Sequence, residues 1–310
     1  MTPFSFVFPG QGAQSIGMLN GFADNPVVRD TVTEASDAIG FDLARLIAEG
    51  PKEELDLTTN TQPVMLTAAV ATWRAWLAAG GAMPAMVAGH SLGEYSALVA
   101  AGVIDFRDAV PLVRFRAMAM QEAVPVGAGG MAAILGLSDE EVRAACAEAA
   151  QGEVVEAVNY NAPAQVVIAG DKAAVDRACE IAKGKGAKRA LLLSVSAPFH
   201  SSLLKPASIR LQQYIEGITF SAPQIPMINN VDVAIASDPS TIKDALVRQA
   251  ASPVRWVETL QAMSAQGILH IIECGPGKVL SGLTKRISSD FIADSIVDQA
   301  SLDKVLEGLK

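Results

Sequence analysis

The chain has 310 residues, 50% of them hydrophobic, 18% charged and 5% aromatic, which provides for a sizeable core and excludes a disordered, fibrous or disulfide-stapled chain. That length predicts two domains, or one large α/β unit carrying an insertion. With 33 acidic against 24 basic residues the net charge is −9, which argues against broad nucleic-acid or anionic-membrane binding and leaves room only for a local basic patch.

Phe4 to Phe8 is a short apolar run that ends at Pro9-Gly10-Gln11-Gly12, the pattern of a buried strand entering a tight loop. Helical patterns follow over Val27 to Ala38 and Gln62 to Ala79, the second closed by Gly80-Gly81. Ala85 to Ala88 reads as another buried strand, turning at Gly89-His90-Ser91-Leu92-Gly93 into helices over Glu94 to Ala101 and Asp108 to Ala123. Between Val124 and Ser196 the texture changes. Strands are predicted at Met131 to Leu135, Val154 to Val158, Val166 to Ala169 and Ala190 to Leu193, with helices near Glu140 to Ala149 and Lys172 to Ala182. That β-α-β-β-α-β order is ferredoxin-like, so 124–196 is expected to form a small inserted domain and 1–123 with 197–310 a large one. Beyond it, helices are predicted over Leu203 to Ile215, Thr241 to Ala250, Val254 to Ala265 and from Lys278, with strands at Ile225 to Ile228 and Ile268 to Glu273. Strands alternating with helices imply an α/β fold with a mostly parallel sheet covered on both faces. The segment from Ser288 to Lys310 reads as a tail or helix.

Cys146, Cys179 and Cys274 have neither metal-ligand nor CxxC spacing and read as buried reduced thiols. Met1 to Pro9 has no basic-then-apolar leader pattern, and the longest apolar stretches are interrupted by Arg74 and by His90 with Glu94. The expectation is a cytoplasmic protein.

Gly89-x-Ser91-x-Gly93, placed after a strand and before a helix, has the context of a nucleophile elbow: the turn exposes the serine oxygen and the helix start aims free N–H groups at an incoming oxyanion. A serine nucleophile needs a base, and there are three histidines. His90 adjoins the nucleophile and is expected to pack or bind substrate, while His270 lies inside an apolar strand; His200, in a loop beyond the insertion, is left as the base. No acid declares itself as a third triad member, and a carbonyl or amide can hold the imidazole tautomer equally well. The helix over Asp108 to Ala123 looks buried nearly all round, which makes Arg114 and Arg116 anomalies. They point about 200° apart, so they cannot share a partner, and a buried guanidinium suits a carboxylate held bidentately. The loop at Gly10-Gln11-Gly12 could bring an N–H or the Gln11 amide to the oxyanion if the first strand neighbours the elbow strand. Gly275-Pro276-Gly277 reads as a tight turn, and no nucleotide-binding glycine pattern is present.

Six blocks, in order along nearly the whole chain, resemble the malonyl-CoA:acyl carrier protein transacylases: Phe8-Pro9-Gly10-Gln11-Gly12-Ala13-Gln14, Gly89-His90-Ser91-Leu92-Gly93-Glu94-Tyr95-Ser96-Ala97, Met120-Gln121-Glu122-Ala123-Val124-Pro125, Asn159-Tyr160-Asn161, Pro198-Phe199-His200 and Glu273-Cys274-Gly275-Pro276-Gly277-Lys278. The resemblance implies an α/β-hydrolase-like large domain with a ferredoxin-like insertion. It implies Ser91 as the acyl-carrying nucleophile, His200 as the base, and Arg116 rather than Arg114 as the partner of the malonyl carboxylate. Gln11 and the Leu92 N–H would hold the oxyanion, and the Gln249 main-chain carbonyl would orient His200. It implies malonyl-CoA and phosphopantetheinylated acyl carrier protein as partners of a monomer, with no metal or redox cofactor. One departure is Ala117 after Arg116, where many members would carry glycine. For an acidic carrier, two basic clusters offer docking charge: Lys183, Lys185, Lys188 and Arg189, and Lys278, Lys285 and Arg286. The rival readings are a serine thioesterase or esterase using the same pair, and a non-catalytic module binding CoA or acyl carrier.

Overall fold

The computed structural model describes residues 2–310. In chain order, β1 (Phe4–Phe8) leads to α1 (Pro26–Ile39), α2 (Leu43–Glu49), α3 (Lys52–Leu55) and α4 (Thr58–Ala78), then to β2 (Met86–Gly89), α5 (Gly93–Ala100) and α6 (Phe106–Glu122). Next come β3 (Gly129–Leu135), α7 (Asp139–Ala150), β4 (Val155–Ala162), β5 (Gln165–Asp171), α8 (Lys172–Gly184) and β6 (Arg189–Leu192). The chain closes with α9 (Lys205–Glu216), β7 (Met227–Ile228), α10 (Pro239–Gln249), α11 (Trp256–Ala265), β8 (His270–Cys274), α12 (Val279–Ile287), β9 (Ile292–Ile296) and α13 (Gln299–Gly308).

Five strands in the order β7-β2-β1-β8-β9, parallel throughout, form the larger sheet. Alternation along β1 sorts its side chains between two cores. Phe4, Phe6 and Phe8 face α4, where Phe6 meets Trp73 and Trp76 edge-on at centroid distances of 5.7 and 5.3 Å. Val7 faces the other way, into a core with Met86, Ala88, Trp256 and Ile271. Each such buried side chain contributes roughly 1.5–3 kcal/mol of transfer free energy, so β1 is pinned from both sides. The smaller sheet is antiparallel with order β4-β5-β3-β6, which for a β-α-β-β-α-β segment is the ferredoxin-like arrangement. The fold is therefore an α/β-hydrolase-like parallel-sheet unit carrying a ferredoxin-like one. Tyr160 N donates to Val254 O at 3.0 Å and Val254 N to Val158 O at 2.8 Å, tying the smaller sheet to the approach of α11.

The structure departs from the sequence expectations at several element ends and in larger features. β4 runs on to Ala162, where a strand ending at Val158 is expected. α4 begins at Thr58 rather than Gln62. α2 and α3, of 7 and 4 residues, are too short for a helical period to register. β9 lies in the segment read as a tail: its sequence, Ile-Ala-Asp-Ser-Ile, has no apolar run because it is an edge strand, paired only with β8. α6 is not buried all round, since Met118 is 40% exposed. Its outer face is only partly covered, by Tyr214 of α9 stacked on Phe115 at 4.3 Å.

Glycines on both sides of Ser91 let the β2–α5 turn close. A Cβ on Gly89 would lie 1.9 Å from the Gly93 carbonyl, and one on Gly93 would lie 2.0 Å from Phe8 O, in backbone that has nowhere to move. Gly89→Ala should therefore destabilise the protein by more than about 2 kcal/mol through forced backbone displacement. Gly184→Ala, at the end of α8 in open space, should be neutral or slightly stabilising; urea denaturation of both variants checks the contrast.

Candidate active site

The C-terminal ends of β1 and β2 carry the loops that build the site. Ser91 sits at φ 52° and His200 at φ 66°, left-handed conformations that cost a non-glycine residue about 1–2 kcal/mol and persist only where the surroundings impose them. At Ser91 the imposing group is Asn230: its Oδ1 accepts from Ser91 N at 2.8 Å and its Nδ2 donates to Gly89 O at 2.7 Å, clamping the turn on both sides of His90. The strain presents Ser91 Oγ to His200 Nε2 at 2.7 Å, and His200 Nδ1 meets the Gln249 main-chain carbonyl at 2.9 Å. That carbonyl can only accept, so Nδ1 carries the proton and Nε2 is left as the acceptor for the serine hydroxyl.

Arg116 is 2% exposed and points at the same oxygen. Its Nη2 donates to Ser91 Oγ at 3.2 Å and to Gln249 Oε1 at 2.9 Å, and its Nη1 to Gln62 Oε1 at 2.7 Å. These partners are all uncharged, and Nε has none among the described residues. Arg114 faces away, donating to Ile39 O at 3.1 Å and lying over Phe41. Ala117 is fully buried on the core side of α6.

The cavity in front of Ser91 has a volume of about 420 Å³ and is lined by Gln11, Leu92, Arg116 and His200, with Met131 and Leu193 contributed by the smaller sheet and its exit strand. Leu92 precedes the first turn of α5, and its N–H has no acceptor among the described residues. Gln11 Oε1 accepts from Thr58 Oγ1 at 2.8 Å, which turns the amide nitrogen of Gln11 away from α4. His90 lines the cavity, with Nε2 at 2.8 Å from Asn161 Oδ1 and its ring 5.4 Å from that of Trp256. His270 pairs with Asp294 across β8 and β9 at 2.9 Å, remote from this cluster. Gly275-Pro276-Gly277 forms the turn between β8 and α12.

Three polar residues of the cluster did not emerge from the sequence: Gln62, Glu94 and Asn230. Each is buried, but Gln62 follows Thr58-Thr59-Asn60-Thr61, Asn230 adjoins Asn229, and Glu94 lies in the first turn of the elbow helix, so none stands out in the sequence as Arg116 does. Glu94 Oε2 accepts from Gln249 Nε2 at 2.9 Å and Asn230 N at 3.1 Å.

Burial and the Arg116 charge push the His200 imidazole down to about 3, against the support of the Gln249 carbonyl. Burial pushes the Glu94 carboxyl up to about 7, although Gln249, Asn230 and Arg116 all favour its ionised form. Burial also lowers Arg116, opposed by Tyr95 and Glu94. The two titrations oppose each other in stability. Between 6.5 and about 3 the unfolded chain binds the His200 proton and the native state does not, so stability rises with pH. Between 4.5 and about 7 the native state binds the Glu94 proton and the unfolded chain does not, so stability falls with pH. Across pH 4.5 to 6.5, where both apply, Glu94→Gln should steepen the rise of unfolding free energy with pH by up to about 1.4 kcal/mol per pH unit, and His200→Asn should tilt it the other way. Urea denaturation at four pH values measures both slopes.

The acyl transferase domain family matches residues 5–296. Over 307 residues the chain is 56% identical to the malonyl CoA-acyl carrier protein transacylase of Salmonella typhimurium, covering 99% of each chain. It is 54% identical to that of Escherichia coli K12 over 99% of this chain and 100% of the other. Among solved structures, the acyl-carrier-protein S-malonyltransferase of Burkholderia pseudomallei is 69% identical with a TM-score of 0.98, over 99% of this chain and 100% of that one. A malonyl-transacylase in complex with a type II PKS acyl-carrier protein is 52% identical with a TM-score of 0.98, over 99% and 100%. The chain belongs to the malonyl CoA-acyl carrier protein transacylase family.

Proposed function

We propose that this enzyme moves malonyl from CoA to the phosphopantetheine thiol of acyl carrier protein through an ester on Ser91. The observation that carries the reading is Arg116: a buried guanidinium with a free Nε and only neutral partners, 3.2 Å from a serine oxygen that is itself paired with a neutral imidazole. A carboxylate one methylene away from a thioester carbonyl fits that separation, because the arginine then binds the acid while the serine meets the carbonyl.

In the first half-reaction His200 Nε2 takes the Ser91 proton as Oγ bonds to the thioester carbon. The Leu92 N–H and the Gln11 amide are assigned to the developing oxyanion. The C–S bond breaks, and CoA leaves with the proton from His200. In the second, the carrier thiol gives its proton to His200, attacks the ester carbonyl, and Ser91 leaves with that proton. His200 Nδ1 stays on the Gln249 carbonyl throughout, which holds the ring's tautomer. Arg116 also couples substrate to basicity. Its charge is one cause of the low His200 basicity, so a carboxylate on the guanidinium offsets that field and strengthens the base once a diacid thioester is bound.

An acidic carrier calls for unpaired cations near the site. In the insertion, Lys183 is paired with Glu180 at 2.7 Å and Lys185 with Glu148 at 3.2 Å. Lys285 and Arg286, exposed in the last turn of α12, have no acidic partner among the described residues, Arg286 meeting only the Gln165 amide. Lys188 and Arg189 of the insertion are likewise exposed with no acidic partner among the described residues, so each cluster keeps free cations, and charge reversal on α12 tests one of the two clusters. Lys285→Glu with Arg286→Glu should raise the carrier's KM at least about fivefold and flatten its salt dependence, while the malonyl-CoA half-reaction is unaffected.

An intact-mass time course with malonyl-CoA tests the chemistry. Wild type should gain one malonyl group that discharges onto carrier faster than into water, and Ser91→Ala should gain none. Arg116→Ala should load malonyl slowly and narrow the malonyl-to-acetyl ratio by more than about tenfold, the loss of a charge-assisted bidentate contact. Discharge at the same rate with and without carrier would make the enzyme a hydrolase instead.

A further inference from the structure

We propose that Glu94 is a positioning residue that sets selectivity for the diacid, acting on Arg116 through the side-chain amide of Gln249; the proposal rests on the transfer reaction inferred above. Glu94 is 1% exposed in the first turn of α5 and does not itself line the cavity, its side chain lying behind Gln249. Its Oε2 receives two donors, Gln249 Nε2 and Asn230 N, so it serves as an acceptor in either protonation state of the carboxyl. Gln249 Nε2 also donates to Ser91 O at 2.8 Å, which places both amide hydrogens on one side. The amide oxygen is left facing Arg116 Nη2 at 2.9 Å.

The two ends of an amide are nearly isosteric, and only their partners decide which way it points. With the Glu94 carboxyl ionised, a turned-over Gln249 amide would set carbonyl against carboxylate and NH2 against guanidinium, two buried mismatches at once. Glu94 thereby fixes an acceptor beside Arg116 and, above about pH 7, supplies an anion one amide removed from a guanidinium that has no carboxylate of its own. The histidine is held differently, through the main-chain carbonyl of the same residue. A side-chain change at Gln249 therefore separates the two roles: Gln249→Met removes the amide and keeps the carbonyl that orients His200.

The test is the kcat/KM at pH 8, where Glu94 is ionised, for loading Ser91 from malonyl-CoA and from acetyl-CoA, in wild type, Glu94→Gln, Gln249→Met and the double variant, with the thermal midpoint of each. In both single variants the malonyl value should fall about tenfold more than the acetyl value, and the double should fall no further than the more affected single, since both changes break one path. Equal losses for both donors, an unchanged malonyl-to-acetyl ratio, or a double variant at the product of the singles would overturn the proposal. Should Glu94→Gln fail to fold, Gln249→Met decides alone: a ratio unchanged from wild type rejects the path through its amide. A wild type that takes no malonyl from malonyl-CoA would instead remove the reaction itself, and the proposal with it.

Discussion

Everything at this site depends on one backbone constraint, the left-handed turn at Ser91 between a buried parallel strand and the start of a helix. The turn closes because two residues without side chains flank it, and it stays closed because Asn230 holds the polar groups that the turn takes out of the ladder. Strain of about 1–2 kcal/mol at one residue is small against the two cores that pin β1 and β2 from opposite faces. The scaffold can therefore hold the serine oxygen away from its own backbone, toward a second strained residue, His200, that arrives from more than a hundred positions further along the chain.

Electrostatics then divide the labour. Burial first, and then the guanidinium charge beside it, hold the His200 imidazole neutral and lower its basicity. The charge is tolerated because neutral acceptors, Gln62 and Gln249, surround it, and because the deep carboxyl of Glu94 lies behind Gln249. Neutral partners leave the guanidinium short of a counter-ion, the feature on which the proposed pairing with a substrate carboxylate rests. Arg116 and His200 share one field, so an anion on the guanidinium would raise the basicity of the imidazole.

The smaller sheet contributes walls to the cavity. Met131 from β3 and Leu193 after β6 face the catalytic loops, and the Tyr160–Val254 link carries the sheet's position back to α11. The apolar side chains of Met131 and Leu193 make one wall of the cavity a contribution of the smaller sheet rather than of the unit that carries Ser91.

Much of this was legible in the sequence. The elbow is a local pattern, a strand, two glycines and a helix start, so Ser91 and the α/β alternation could be read directly. The β-α-β-β-α-β texture likewise marked the insertion. His200 followed from the scarcity of histidines, and Arg116 became distinguishable from Arg114 only through the family's motifs. Gln62, Glu94 and Asn230 lay unread because Gln62 and Asn230 stand beside other polar residues and Glu94 in the first turn of a helix, places where a solvated polar side chain is the ordinary expectation. β9 went unread for a different reason: an edge strand draws its order from the neighbour it pairs with, not from its own periodicity. Local order is set by contacts within a few residues, which sequence spacing records. The hydrogen bonds that join Ser91, Arg116, His200 and Gln249 span 25 to 158 positions, and only the packing of the sheet and its helices decides which of those distant groups meet.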